Sequence, residues 1–479
     1  MSRNLSDSQI PKKQDKHLEY YQEQSNCAST DYVDIDNTST IDTREASLDT
    51  GKVGFEEISP FQQQLQEQLP AGIWFFTLMY FLCMFAGFVN NSFAPAIEGM
   101  TAAFQVKVAA ITAIISLYTI GNGAGQLIWG PIMDRWGRKA VILICGYIGI
   151  ALNLWLMNAT SYAELVWIRI LQGLSFSGLG VIPSIIIRDC FSAKRYAIYS
   201  SIMSSLFVFT PVIAPLIGAW IYIYLGWQAI FGILSLVILI VLICFAQFIP
   251  ETLEPSKRQP LQVKLIAQKY GAIFKSKRSL GLIVINSIFT VSTVVMPTML
   301  PMVYIVDYHV APENFAYLVL INTIVMAVGL HINSTLLKLG YNPAKVWLWA
   351  SILQAVSTLV SFYVIFSGVT LIGIVVALAL TVFFTSFVIG NMTCLFFLDY
   401  NNMIGTASSI FVSTRLCCAG LIVALLAHIP SFNGVTLLLI NASTLIISAI
   451  LIILYYRKFR PDIRVKQNSD YFVQGREEQ

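Results

Sequence analysis

Long apolar runs follow one another from Gly72 to Tyr456, separated by short polar or charged connections. A helix needs about 20 apolar residues to cross roughly 30 Å of hydrocarbon, and runs of this kind are long enough to do so. The pattern predicts spans over 72–94, 109–129, 140–157, 162–187, 196–221, 226–249, 280–306, 315–337, 346–366, 369–398, 403–428 and 434–456. No charged residue lies between Lys345 and Asp399, and Ser367 with Gly368 supplies the turn that divides this stretch into two helices. The longest internal connection, 250–279, leaves six spans on either side and contains a basic, amphipathic stretch, Leu261–Ile273, suited to a helix lying on the membrane surface. The expected fold class is therefore an all-α integral membrane protein, with twelve transmembrane helices in two six-helix bundles.

Basic residues are retained on the cytoplasmic side, so the connections also predict orientation. With both termini inside, the inward connections and the start of the C-terminal tail hold 19 Lys or Arg, whereas the outward connections hold only Lys107. The expected organisation is a cytoplasmic tail over 1–70, a first bundle over 71–249, a linker over 250–279, a second bundle over 280–456 and a cytoplasmic tail over 457–479. Residues 1–70 carry 13 Asp or Glu against 6 Lys or Arg and few apolar side chains, a composition that predicts disorder. They lack the apolar core of a cleaved signal peptide, so the first span is expected to direct insertion.

Composition sharpens this picture. With 56% hydrophobic and 12% charged residues, the chain lies far from the soluble norm of about 25% charged. A net charge of +4 in scattered clusters gives no nucleic-acid stripe. The eight cysteines form no CxxC or Cys/His ligand spacing, so no metal is expected, and no P-loop GxxxxGK[ST] occurs to bind ATP. No nucleophile–base pair or carboxylate pair is fixed within the spans, which argues against an enzyme.

Few side chains in the spans can do polar chemistry. Arg169 lies seven residues into the fourth span, roughly 10 Å deep, and Arg415 about 12 residues into the eleventh, near the midplane. Buried cations of this kind face a bundle interior or water, and together they favour an anionic or zwitterionic substrate. His331, in the eighth span, has an ordinary pKa of about 6.5 and could exchange protons. Tyr118 and Tyr304 could line an apolar pocket. Pro211 and Pro215, four apart, should kink the fifth span, with Gly218 allowing close helix approach.

Between the second and third spans, Gly130, Asp134, Arg135, Gly137, Arg138 and Lys139 spell GxxxDRxGRK, which resembles the signature loop of the major facilitator superfamily. Leu165, Arg169, Gln172 and Gly173 resemble its second motif, and Thr210–Ala219 its antiporter motif, with Ala214 and Ala219 where glycine is usual. The stretches GQLIWGPIMDRWGRK, APLIGAW, LPMVYIVDYHVAPENF and GTASS resemble the Bcr/CflA, or bicyclomycin-resistance, branch of its drug:proton antiporter group. The resemblance covers about 72–456 and implies a monomeric, proton-driven exporter of small organic molecules in a plasma or bacterial inner membrane, without a cofactor. It implies that Asp134 and its loop latch the two halves, and it ties Arg169 and Gln172 to proton coupling. Two residues depart from the branch: Asn91 stands where those exporters usually carry an acid, and Arg415 where they commonly carry Gln. Uptake or facilitated diffusion of a metabolite is the alternative, and a membrane receptor that moves no solute the remote one.

Overall fold

A computed structural model of the chain describes residues 60–460 apart from 192–194, 197–198, 200–201, 204–208, 259–262, 401–403, 427–428 and 430–431. Most of the acidic tail, residues 1–59, and the C-terminal tail from 461 onward lie outside the described residues, as does most of the first part of the fifth predicted span. Among the described residues, eleven helices are long and apolar enough to cross a membrane, and a shorter apolar helix completes the fifth predicted span.

A short helix, α1 (Pro60–Gln68), precedes the first span, α2 (Gly72–Asn91). That span runs further than expected. Instead of ending near 94, the chain passes through a 3₁₀ turn at Ala94–Ala96 into α3 (Ile97–Phe104), so Asn90 and Asn91 fall inside a 33-residue helical path. Pro95 sits in the 3₁₀ turn, where its missing N–H is tolerated, and the turn prolongs the helix instead of ending it.

The rest of the first half is α4 (Val108–Trp136), α5 (Arg138–Met157), α6 (Tyr162–Cys190), α7 (Thr210–Leu225) and α8 (Trp227–Phe248). With α2 they share one apolar core that includes Phe85, Ile114, Leu152, Phe176 and Phe231. Gly137 at φ +97° joins α4 to α5 with no intervening residue. Pro215 lies inside α7, and Pro211 lies in its first described turn, directly after residues outside the described ones. Gly218 packs directly on the Ser92 carbonyl, so the expected close approach is present.

The linker holds α9 (Val263–Lys275), and Ile273 of that helix is buried in the core of the second half. Then come α10 (Lys277–Pro301), continued by a π-turn over Met302–Asp307, α11 (Pro312–Lys338), α12 (Pro343–Ser367), α13 (Leu371–Phe397), α14 (Ile404–Leu426) and α15 (Gly434–Phe459). The tight hairpin between α12 and α13 turns at Gly368, φ +98°, and Thr370 caps α13 by accepting a bond from Gly373 N.

The halves meet along α4 and α14 and again where α7 packs on α11. Small residues let α4 and α14 approach closely: Gly123 lies against Ser413 and Cys417, Gly420 against Ser116 and Ile120, and Gly130 faces Ser409. At the end away from Gly137, Ala94 and Ala113 of the first half share an apolar cluster with Val295, Met299 and Val303 of the second.

Candidate functional site: a central cavity and the signature loop

A cavity of about 570 Å³ lies between the halves, lined by α2, α4, α6 and α14 together with Tyr196 and Met203 of the fifth predicted span. Its polar lining includes Asn90 and Asn91 on α2, Tyr118, Asn122 and Gln126 on α4, and Arg415 on α14, besides hydroxyls such as those of Ser184 and Tyr196. The spacing of four places the three α4 residues on one face, and Gln126 Nε2 donates to Asn122 Oδ1 at 3.0 Å. Arg415 is the one charged side chain among the described lining residues, and its Nε has no hydrogen-bond partner among the described residues. Elsewhere in the second half, Asn391 Nδ2 donates to Asn333 Oδ1 and to the Phe387 carbonyl.

Arg169 stands behind the cavity wall and is fully buried. Its Nη1 donates to the Val89 carbonyl at 3.3 Å and to Gln172 Oε1 at 3.0 Å, and its Nη2 donates to Asn90 Oδ1 at 3.0 Å. The guanidinium carbon lies 4.6 Å from the Phe93 ring centroid and 4.7 Å from that of Tyr118, so two aromatic faces help to hold the cation. Gln172 passes the network on by donating to Asn153 Oδ1 at 2.8 Å. Tyr118 donates to the Ala86 carbonyl at 2.7 Å, which fixes the ring against α2.

Asn91, Tyr118 and Arg415 thus line the cavity, and Arg169 with Gln172 backs it. Two expected members do not join them. Tyr304 is buried in the apolar cluster of the second half, edge-on to Phe315. His331 lies on an exposed face of α11, a helix whose inner face is claimed by α7 and α13. Asn90, Asn122 and Gln126 join the cavity lining unpredicted. Their signal was present, an amide pair and an i, i+4 polar stripe on otherwise apolar helices.

The signature loop forms a second polar site at one end of the bundle. Arg138 is its hub: Nη1 donates to Asp134 Oδ1 at 2.8 Å and to the Met133 carbonyl at 2.7 Å, and Nε donates to Asp189 Oδ2 at 3.2 Å. Glu251, just beyond α8, accepts from the backbone amides of Arg138 at 2.8 Å and Lys139 at 3.1 Å. Glu251 is therefore a carboxylate on the positive N-terminal end of α5. Arg135 is exposed. A cavity of about 420 Å³ opens here between Asp134, Asp189, Arg188 and Phe61 of α1, and Gln66 of α1 donates to the Cys190 carbonyl at the end of α6. From the linker, Tyr270 donates to the Leu127 carbonyl of α4 at 3.4 Å, and burial and the neighbouring Asp134 carboxylate raise the pKa of its hydroxyl.

Two halves around a central cavity, with this loop at one end, agree with what the comparisons find. Residues 77–424 match the Major Facilitator Superfamily. The chain belongs to that superfamily. A bicyclomycin resistance protein homolog of Haemophilus influenzae is 28% identical over 253 residues, 53% of this chain and 64% of that protein. A chloramphenicol resistance protein of Pseudomonas aeruginosa is 30% identical over 163 residues, 34% of this chain and 39% of that protein. In both, the matched region is less than two thirds of the relative's length. A crystal structure of the peptide transporter POT superposes with a TM-score of 0.65 at 14% identity, covering 85% of this chain and 100% of that one, and shows the shared fold.

Proposed function

We propose that this protein is a secondary transporter that exports small organic molecules bearing a carboxylate or another anionic group, by alternating access of the central cavity. The observation that carries the reading is Arg415, the one charged side chain among the described cavity-lining residues, with an Nε that no described residue satisfies. An unpaired buried donor and a positive charge in a low-dielectric site favour an anionic partner. The amides of Asn90, Asn91, Asn122 and Gln126 supply neutral hydrogen-bonding capacity around it. Export is the direction suggested by the resistance-protein names of the two relatives.

In this reading both termini are cytoplasmic, the signature loop faces the cytoplasm, and the protein works as a monomer in a plasma or bacterial inner membrane. Transport draws on a gradient and needs no cofactor. The resemblance implies a proton gradient. Uptake of a metabolite is the second reading, favoured by the lack of a carboxylate among the described cavity residues. The test is flux from proteoliposomes of matched anionic, neutral and cationic aromatic solutes, imposed in either direction. Anions should move fastest and outward. A preference for cations that survives Arg415→Gln would overturn the proposal.

A further inference from the structure

Two guanidiniums and no described carboxylate meet near the middle of the bundle. Arg415 lines the cavity, and Arg169 touches two other lining residues, Asn90 and Tyr118. The hydrogen-bond acceptors that serve Arg169 are all neutral. Acidic residues of the described spans stand instead toward the helix ends, as Asp134, Glu164, Asp189 and Asp307 do, or on an exposed face, as Glu98 does.

Alternating access shuts the cavity off from both faces once in each crossing, and shutting it removes water from whatever charge it holds. A bound anion offsets the Arg415 charge, so the loaded cavity closes readily. An empty cavity must close around uncompensated positive charge, which is strongly disfavoured away from water. A proton, itself positive, cannot take the anion's place, and the described lining offers amides, hydroxyls and a thiol but no carboxylate that could serve as an internal counter-ion.

We infer that the cavity closes only around an anion, so that the protein exchanges one organic anion for another instead of returning empty or protonated. The inference rests on the reading of Arg415 as the anion-binding residue. It adds the counter-anion as an obligatory second substrate and names its class, a small organic anion that fits a cavity of about 570 Å³.

The full chain in proteoliposomes loaded with labelled phthalate, or with labelled benzenesulfonate, tests this in a medium whose only bulk anion is dextran sulfate, too large to enter the cavity. Unlabelled phthalate outside should speed efflux at least tenfold over dextran sulfate alone, and a pH gradient of either sign without outside phthalate should not replace it. Arg415→Gln should abolish the acceleration while eluting as a monodisperse protein, and Arg415→Lys should keep most of it. Efflux into dextran sulfate as fast as into phthalate, or acceleration that persists in Arg415→Gln, overturns exchange while leaving anion transport intact. Movement of benzyltrimethylammonium but of neither anion, or movement of none of the three, overturns exchange and anion transport together.

Discussion

The Glu251 carboxylate fills the space that a side chain on Gly137 would take, and from there it caps α5. Gly137 also holds φ at +97°, a region that side chains other than glycine's strain to adopt. Gly137→Ala therefore carries two penalties, backbone strain and a displaced cap, together about 2 kcal/mol or more. Glu251→Ala loses only the cap, about 1 kcal/mol. Thermal unfolding in detergent should rank Gly137→Ala below Glu251→Ala. Equal midpoints would show that the glycine matters only as a spacer.

Arg138 binds two carboxylates, and its own side chain is only 6% exposed. Arg138→Gln leaves Asp189 inadequately paired at 19% exposure and should cost about 2 kcal/mol, part of which Asp189→Asn returns in the double mutant. Asp134 is 51% exposed, so Asp134→Asn should change stability by less than about 1 kcal/mol. If the loop latches the halves, flux in Asp134→Asn nevertheless falls about tenfold, equivalent to about 1.4 kcal/mol. Normal flux in a normally inserted Asp134→Asn protein would remove the latch role.

The two intramembrane arginines should separate by mutation. Arg169→Gln strands the acceptors on Asn90, Gln172 and Val89 and opens a gap between Phe93 and Tyr118, so a loss of folded protein of about 2–4 kcal/mol is expected. Arg415→Gln removes a charge that no described acid balances, so it should fold normally and shift preference from anionic to neutral solutes. Size-exclusion profiles and a solute panel read both outcomes.

His331→Ala should leave flux and its pH profile unchanged, because the side chain sits on an exposed face away from the cavity. A shifted pH profile would place His331 on the transport path.

Gly218→Ala drives a methyl group into the Ser92 carbonyl, a backbone atom with little room to yield. Overpacking of this kind costs about 1–3 kcal/mol, so the unfolding midpoint should drop.

Most of the fold was legible in the sequence, because a membrane helix must be long and apolar and this requirement leaves little freedom in where spans lie. The end of the first span was misread because Pro95 and Glu98 look like a loop, whereas a 3₁₀ turn carries the helix on to Phe104. Arg169 and Arg415 were visible as charges at depth, whereas Gln172 and Asn91 stood out only through the family resemblance. Tyr304 and His331 were misassigned because depth along a helix does not say which face meets a neighbour. Glu251 could not be found from sequence, since its partners lie more than a hundred positions away and contribute only backbone amides.

Tyr270 spans the boundary between the halves: it belongs to the linker helix, Ile273 of that helix is anchored in the second half, and its hydroxyl grips the Leu127 carbonyl of the first. The linker is thus a strap of fixed reach, fastened at both sides. Any rocking that parts α4 from α14 at this end must either stretch that fastening until the Tyr270 bond breaks or carry the strap along with one half.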